Sequence, residues 1–246
     1  MKKGILFKEK SSMKFDERGF TLIELLVALV VTSIFMAGVF ATYRHQTQTQ
    51  TTQTAVLDMQ QNIRYAMHIM ERELRMAGFD PTRNAEARVL LADSGELQFE
   101  IDLNEDGNPA PTAVTDPDER IRYALTNDAD LDGVADGTPC HLGREVYDGG
   151  LQPIAINVDA LNFVYLDGNT PPNVLPTPVV DPDNIRSIQI SVVARSGEQI
   201  PVAFIKYMNR RTYTNQQNDI ILPAPNDTFR RLQLTSEILC RNLAFN

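Results

Sequence analysis

The first eighty residues contain no proline, and between Phe20 and Ala77 the only glycine is Gly38. Nothing in that stretch breaks a helix, so one helix can run to about Ala77, some 58 residues or roughly 87 Å at ~1.5 Å per residue. Charge is nearly absent from its first part: across residues 19–43 the only charged side chain is Glu24, and Arg44 ends the run. Those 25 residues are enough to cross a ~30 Å hydrocarbon core. A secretory signal has a shorter apolar core followed by a small-x-small cleavage site. Here the one plausible processing site, Gly19, precedes the apolar run, so a cut there leaves the hydrophobic helix on the mature chain.

Catalytic patterns are also missing. There is no G-x-S-x-G, H-E-x-x-H, P-loop or G-x-G-x-x-G, and the three histidines, His45, His68 and His141, lie far apart. An enzyme is not expected. No long basic run exists either. Of the 23 Lys/Arg, six fall in residues 1–19 beside three acids, which leaves 17 bases against 29 acids after Gly19. Acidity of that degree argues against nucleic acid as a partner. A basic leader before an apolar helix and an acidic remainder is the positive-inside pattern, with the leader cytoplasmic and the acidic domain outside. Met13 opens a second start, so the leader begins at Met1 or at Met13.

Cysteine is scarce: Cys140 and Cys240 are the only two. In an exported domain a single disulfide between them is the default expectation, closing a loop of about 100 residues. Two separate thiols are the alternative. Cys140-His141 without a second ligand pair is weak evidence for a metal.

The ordered run Gly19-Phe20-Thr21-Leu22-Ile23-Glu24-Leu25-Leu26-Val27-Ala28-Leu29-Val30-Val31 resembles the type IV prepilin signal. The resemblance implies cleavage by prepilin peptidase between Gly19 and Phe20, with N-methylation of Phe20. It makes Glu24 the fifth mature residue, which in pilins pairs with the N-terminal amine of a neighbouring subunit during assembly. Physical chemistry agrees, because a carboxylate one turn inside an apolar helix needs a partner, and cleavage creates an amine at the same depth.

After Arg44 the helix changes character. Gln46-Thr47-Gln48-Thr49-Gln50-Thr51-Thr52-Gln53-Thr54 reads as a solvated helical stalk, with a disordered linker as the alternative because threonine is a mediocre helix former. From Val56 the residues Met59, Ile63, Ala66, Met67, Met70, Leu74 and Ala77 recur at three- and four-residue steps and form one apolar face. Gly78 and Pro81 mark the end. Beyond them, period-two segments at 88–92, 96–101, 119–125, 144–147, 160–166, 185–195 and 200–207 are strand candidates, the first two a hairpin about Asp93-Ser94-Gly95. The expected fold is α+β: a long N-terminal helix, transmembrane then amphipathic, on a mainly antiparallel sheet. The parts are a leader (1–19), a membrane and assembly helix (20–44), a stalk and amphipathic helix (45–78) and a β-rich head (79–246).

Arg120-Ile121-Arg122-Tyr123-Ala124-Leu125, Gly143-Arg144-Glu145-Val146-Tyr147, Leu161-Asn162-Phe163-Val164-Tyr165, Arg241-Asn242-Leu243 and the helix end at 70–78 resemble PilW-like minor pilins. That resemblance implies a structural subunit of a type IV pilus or its initiating tip complex. Its partners would be prepilin peptidase, other major and minor pilins and the inner membrane. The head would be periplasmic before assembly and at the cell surface after it. Alternatives are a minor pseudopilin of type II secretion and a calcium-dependent pilus adhesin.

The last alternative arises from two acidic loops. Asp102-Leu103-Asn104-Glu105-Asp106-Gly107 and Asp128-Ala129-Asp130-Leu131-Asp132-Gly133 both fit D-x-[DN]-x-D-G, the opening of a calcium loop. Candidate ligands are Asp102, Asn104 and Asp106 in the first, and Asp128, Asp130, Asp132 and Asp136 in the second. Ala113 and Pro139 stand where an EF-hand has its twelfth-position glutamate, so neither is a complete EF-hand. Solvated turns are the alternative reading of both.

Overall fold

The computed structural model describes residues 19–108, 118–197 and 207–244. Its contacts fall into two compact units that divide between Thr49 and Gln50. Helix α1 (Leu22–Leu74) belongs to both. The Gln/Thr tract is helical throughout, and its threonines show how a poor helix former is accommodated. Thr47 and Thr49 donate their hydroxyls to the carbonyls of Tyr43 and His45, four residues back, at 3.0 and 2.9 Å. Ser33 and Thr42 do the same in the apolar half, to Leu29 and Gly38. These four hydroxyls find their partners within the helix.

In the second unit, the apolar face expected from sequence is the buried one: Met59, Ile63, Ala66, Met67, Met70 and Leu74 line the core. The helix stops at Leu74, a turn before the expected Ala77. Gly78 then takes φ +73° and its N–H leaves the helix for Glu100 O at 3.0 Å. A left-handed residue just past the last turn is the usual role of glycine there.

Two antiparallel sheets share this core, where the sequence suggested one. The first is a meander of β1 (Val89–Ala92), β2 (Leu97–Glu100), β3 (Arg120–Leu125), β4 (His141–Val146) and β5 (Gln152–Ile156), in sequence order. The expected hairpin is present, with Ala92 opposite Leu97. The second contains β6 (Val158–Leu166), β7 (Val174–Leu175), β8 (Ser187–Arg195) and β11 (Arg231–Leu239), in the order β11-β8-β6-β7. A small ribbon of β9 (Tyr213–Thr214) and β10 (Ile220–Leu222) covers its other face, where Tyr213, Ile221 and Leu222 pack on Ala160 and Val193. With both faces covered, β8 is buried from Ser187 to Ala194. The candidate strand at 200–207 lies outside the described residues except for Tyr207, and Ala113 lies outside them too.

Strand β11, unassigned from sequence, pairs with β8 from Arg231 opposite Arg195 to Leu239 opposite Ser187. Side chains fix it in place. The Arg231 guanidinium, almost wholly buried, bridges Asp159 on β6 and Asp227, both at 2.6 Å. Ser236 donates to Glu71 Oε1 at 2.6 Å, and Asn242 to the Arg75 carbonyl at 3.2 Å. Leu243 lies over Gly78, where an added Cβ would meet it at 2.4 Å. The chain's last described turn therefore closes on the helix end.

The disulfide expected between Cys140 and Cys240 does not form: both are free, buried thiols. Cys140 precedes β4 of the first sheet and its Sγ faces Asn127 O at 3.6 Å. Cys240 follows β11 of the second sheet, with Sγ nearest Ile238 O at 3.9 Å. Each fills its own site in the apolar core, so the favourable loop-closure entropy has no geometry to act through. Burial pushes the Cys140 thiol up, and pushes Cys240 up to about 12.

One charged group lies on the buried stripe. Glu73 is 8% exposed and accepts hydrogen bonds from Tyr123 Oη and, at 3.0 Å, from Arg144 Nε. It thereby joins the last turn of α1 to β3 and β4. Burial and the Glu73 charge push the Tyr123 phenol well above its ordinary range. Glu73→Ala takes the acceptor from the buried Tyr123 phenol and leaves Arg144 with the exposed Asp118, 3.4 Å away, and is expected to cost about 2 kcal/mol. Urea unfolding should show a lower midpoint at unchanged slope. The cysteines give a second expectation. Alkylation of the native protein at pH 8 should label neither thiol, and alkylation after denaturation without reductant should label both.

Candidate functional site

Gly19, Phe20 and Thr21 precede the helix in the described chain. Thr21 is its N-cap: its carbonyl accepts the first helical hydrogen bond, from Leu25 N at 3.2 Å. Its hydroxyl oxygen lies 3.3 Å from the Glu24 N–H. Glu24 reaches back, and its Oε2 accepts from Thr21 N at 2.9 Å and from Thr21 Oγ1 at 2.8 Å. Thr21-Leu22-Ile23-Glu24 is thus a capping box, two otherwise unpaired ends satisfying each other. The sequence places the carboxylate without a partner until cleavage supplies an amine. The structure gives it one already, from within its own first turn. The T-x-x-E spacing was the available signal.

From Phe20 to Phe40 the large apolar side chains are exposed on every side of the helix. This helix is long and apolar enough to cross a membrane, and its most apolar window is left unburied by the described residues. An all-round apolar surface of that length is matched to hydrocarbon, not water.

The two acidic loops differ. In the first, Asn104 and Asp106 close turns, and Asp102 Oδ1 is buried without a hydrogen-bond partner among the described residues. Asn104 Oδ1 accepts from Asp106 N at 2.9 Å, and Asp106 Oδ1 from Asn108 N at 2.8 Å. Asp102 is fully buried, its Oδ2 taking the Gly107 N–H at 3.2 Å. In the second, three carboxylates converge: one oxygen each of Asp128, Asp130 and Asp136 lie within 4.8 Å of one another. Asp132, the fourth candidate, stands apart as a turn former, its Oδ1 accepting from Val134 N at 2.7 Å.

The loop holding this cluster is fastened to β6. Gly133 O accepts from Leu161 N at 2.8 Å, Asp159 O accepts from Ala135 N at 3.0 Å, and Val134 bridges Ala160. The approach is close enough to require glycine. A Cβ on Gly133 (φ +85°) would sit 2.1 Å from Leu161 O, and one on Gly95 would sit 2.4 Å from Gly133 N. Within this frame Asp128 is buried, with Oδ2 held by the Gly133 N–H at 2.9 Å. Ala129 N donates to Asp136 Oδ2 at 2.6 Å. Burial, together with the charges of Asp132 and Asp130, pushes the Asp128 carboxyl up to about 6. The D-x-D-x-D-G spacing was legible, but the burial of its first member and the pairing of Gly95 with Gly133 were not.

Comparison with known proteins matches the start and the middle of the chain. Residues 14–40 match the prokaryotic N-terminal methylation motif, and residues 52–214 match the family of prepilin peptidase-dependent protein B. Among solved structures, a type IV-like pilin from Thermus thermophilus is similar over 75% of this chain and 97% of its own, at 14% identity and a TM-score of 0.43. No curated protein matches the chain. An N-terminal methylation motif on an exposed apolar helix, and a family match over most of the head, give a pilin-type structural protein with a membrane anchor: the chain belongs to the family of prepilin peptidase-dependent protein B.

Proposed function

We propose that the chain is a minor pilin, cut by prepilin peptidase between Gly19 and Phe20, methylated on Phe20, and incorporated into a type IV pilus or its initiating tip complex. The observation that carries this reading is the exposed apolar helix with the Thr21–Glu24 box at its start. In a membrane that surface is solvated by lipid. In a filament it is available to the like helices of other pilins.

The capping box gives Glu24 a defined task at each stage. Before cleavage it satisfies the first turn and carries its charge on the side of the positive helix end. After cleavage the new amine of Phe20 lies one residue from the Thr21 N–H that Glu24 already holds at 2.9 Å. The carboxylate is then poised between its own terminus and that of a neighbouring subunit, and assembly exchanges one for the other. Before assembly the head occupies the periplasm, and afterwards the cell surface. Prepilin peptidase, other pilins and the inner membrane are the partners this reading requires.

Intact mass and N-terminal sequencing of protein from membrane and sheared-filament fractions test it. The expected chain begins at Phe20 and carries one added methyl group; an uncut chain in cells with active peptidase overturns the processing. Glu24→Gln keeps the acceptor oxygen of the capping box and removes the charge. It should be processed and membrane-bound, yet reach sheared filaments at about a tenth of the normal yield, given the cost of an unpaired amine in the membrane. Normal yield removes the charge pairing.

A further inference from the structure

We propose that residues 128–136 form a calcium site on the head, with Asp128, Asp130 and Asp136 as its carboxylate ligands. Two independent observations meet there. The first is convergence: three carboxylate oxygens within 4.8 Å of one another fit inside one calcium shell, whose ligands sit about 2.3–2.6 Å from the ion and so span at most about 5 Å. The second is an orphan. Asp128 is 8% exposed, and its Oδ1 has no hydrogen-bond partner among the described residues. A buried carboxylate oxygen with nothing to accept is costly. Here that carboxylate is turned toward two others, an arrangement a cation satisfies and a solvated turn does not need.

The donor set selects the kind of cation. All three ligands are hard oxygens. The nearby soft or nitrogen donors are engaged elsewhere: Cys140 Sγ faces Asn127 O, and His141 Nδ1 accepts from Asn157 N at 3.3 Å. Zinc and copper are therefore disfavoured. Three charges from one loop suit a divalent ion. The absence of a full cage of side chains leaves the remaining positions to carbonyls and water, which calcium tolerates. The frame is rigid where it matters, since Gly133 and Val134 are fixed to β6 and Gly95 of the β1–β2 turn abuts them. The ion would tie that turn, the loop and β6 into one unit. An affinity of about 0.1–1 mM is expected, as for other extracellular modules.

The test is calorimetric titration of the full-length protein in detergent micelles, stripped with chelator and titrated with calcium chloride alone. One saturable site in the stated range is expected, with a rise in the melting temperature of the head. Asp130→Asn and Asp136→Asn change exposed side chains and preserve the fold; each should weaken calcium at least about 10-fold. Asp128→Asn should abolish the thermal shift, and Asp106→Asn, in the other loop, should leave it intact. Three results overturn the proposal: no saturable heat up to about 10 mM calcium, equal binding by wild type and the Asp130 and Asp136 variants, or equal affinity for magnesium.

Discussion

Between Met59 and Leu74 a single stripe of α1 is buried, and both large sheets are packed around it in one continuous core. Leu97, Phe99, Ile121, Tyr123 and Leu142 come to that core from the five-stranded sheet, and Phe163, Tyr165, Ile188 and Ile190 from the four-stranded one. The helix is therefore the central element of the head and not a cover laid on it. Each fully buried large side chain contributes about 1.5–3 kcal/mol on removal from water, so the stripe contributes several kcal/mol to the stability of this unit. Glu73 adds direction to a contact that hydrophobicity leaves loose. Its bonds to Tyr123 and Arg144 set the rotation of the last helical turn against β3 and β4.

The same helix serves two environments by changing its pattern. Its N-terminal half is apolar on every side and turns the hydroxyls of Thr21, Ser33 and Thr42 inward to the helix itself; its C-terminal half is apolar on one side only. The capping box at Thr21 and Glu24 belongs to this scheme. A helix start placed in or near hydrocarbon cannot rely on water for its unpaired amides, and the box supplies acceptors from within the chain. The residue assigned to assembly by resemblance is thus also a structural residue of its own helix.

Much of this was written in local pattern. The stripe followed a three- and four-residue period, and Leu97-Gln98-Phe99 alternated as a half-buried strand should. The failures have physical causes. Glu73 sits on the stripe three residues after Met70, where a search for apolar side chains passes over it. Strand β5 contains Pro153, which sequence rules demote, and the structure accepts it because β5 is an edge strand. Strand β11 is mostly half-buried along its length, so Leu232 and Leu234 stand out less than the buried residues of β8. The cysteine pairing failed because separation along the chain says nothing about which sheet each residue joins. In the acidic loops, spacing identified the carboxylates but not which oxygens are spent on closing turns.

The position of β11 has a consequence for the order in which the head can form. The strand at the edge of the four-stranded sheet is far from α1 along the chain. The Ser236–Glu71 and Asn242–Arg75 bonds join residues 165 and 167 positions apart. Contacts of such sequence separation form late, because a long loop must close before they yield anything. Until residues near 240 are in place, β8 lacks its outer neighbour and the end of the helix stripe lacks its lid. A head whose β11 has not yet docked exposes apolar surface, and its aggregation hazard is confined to that interval.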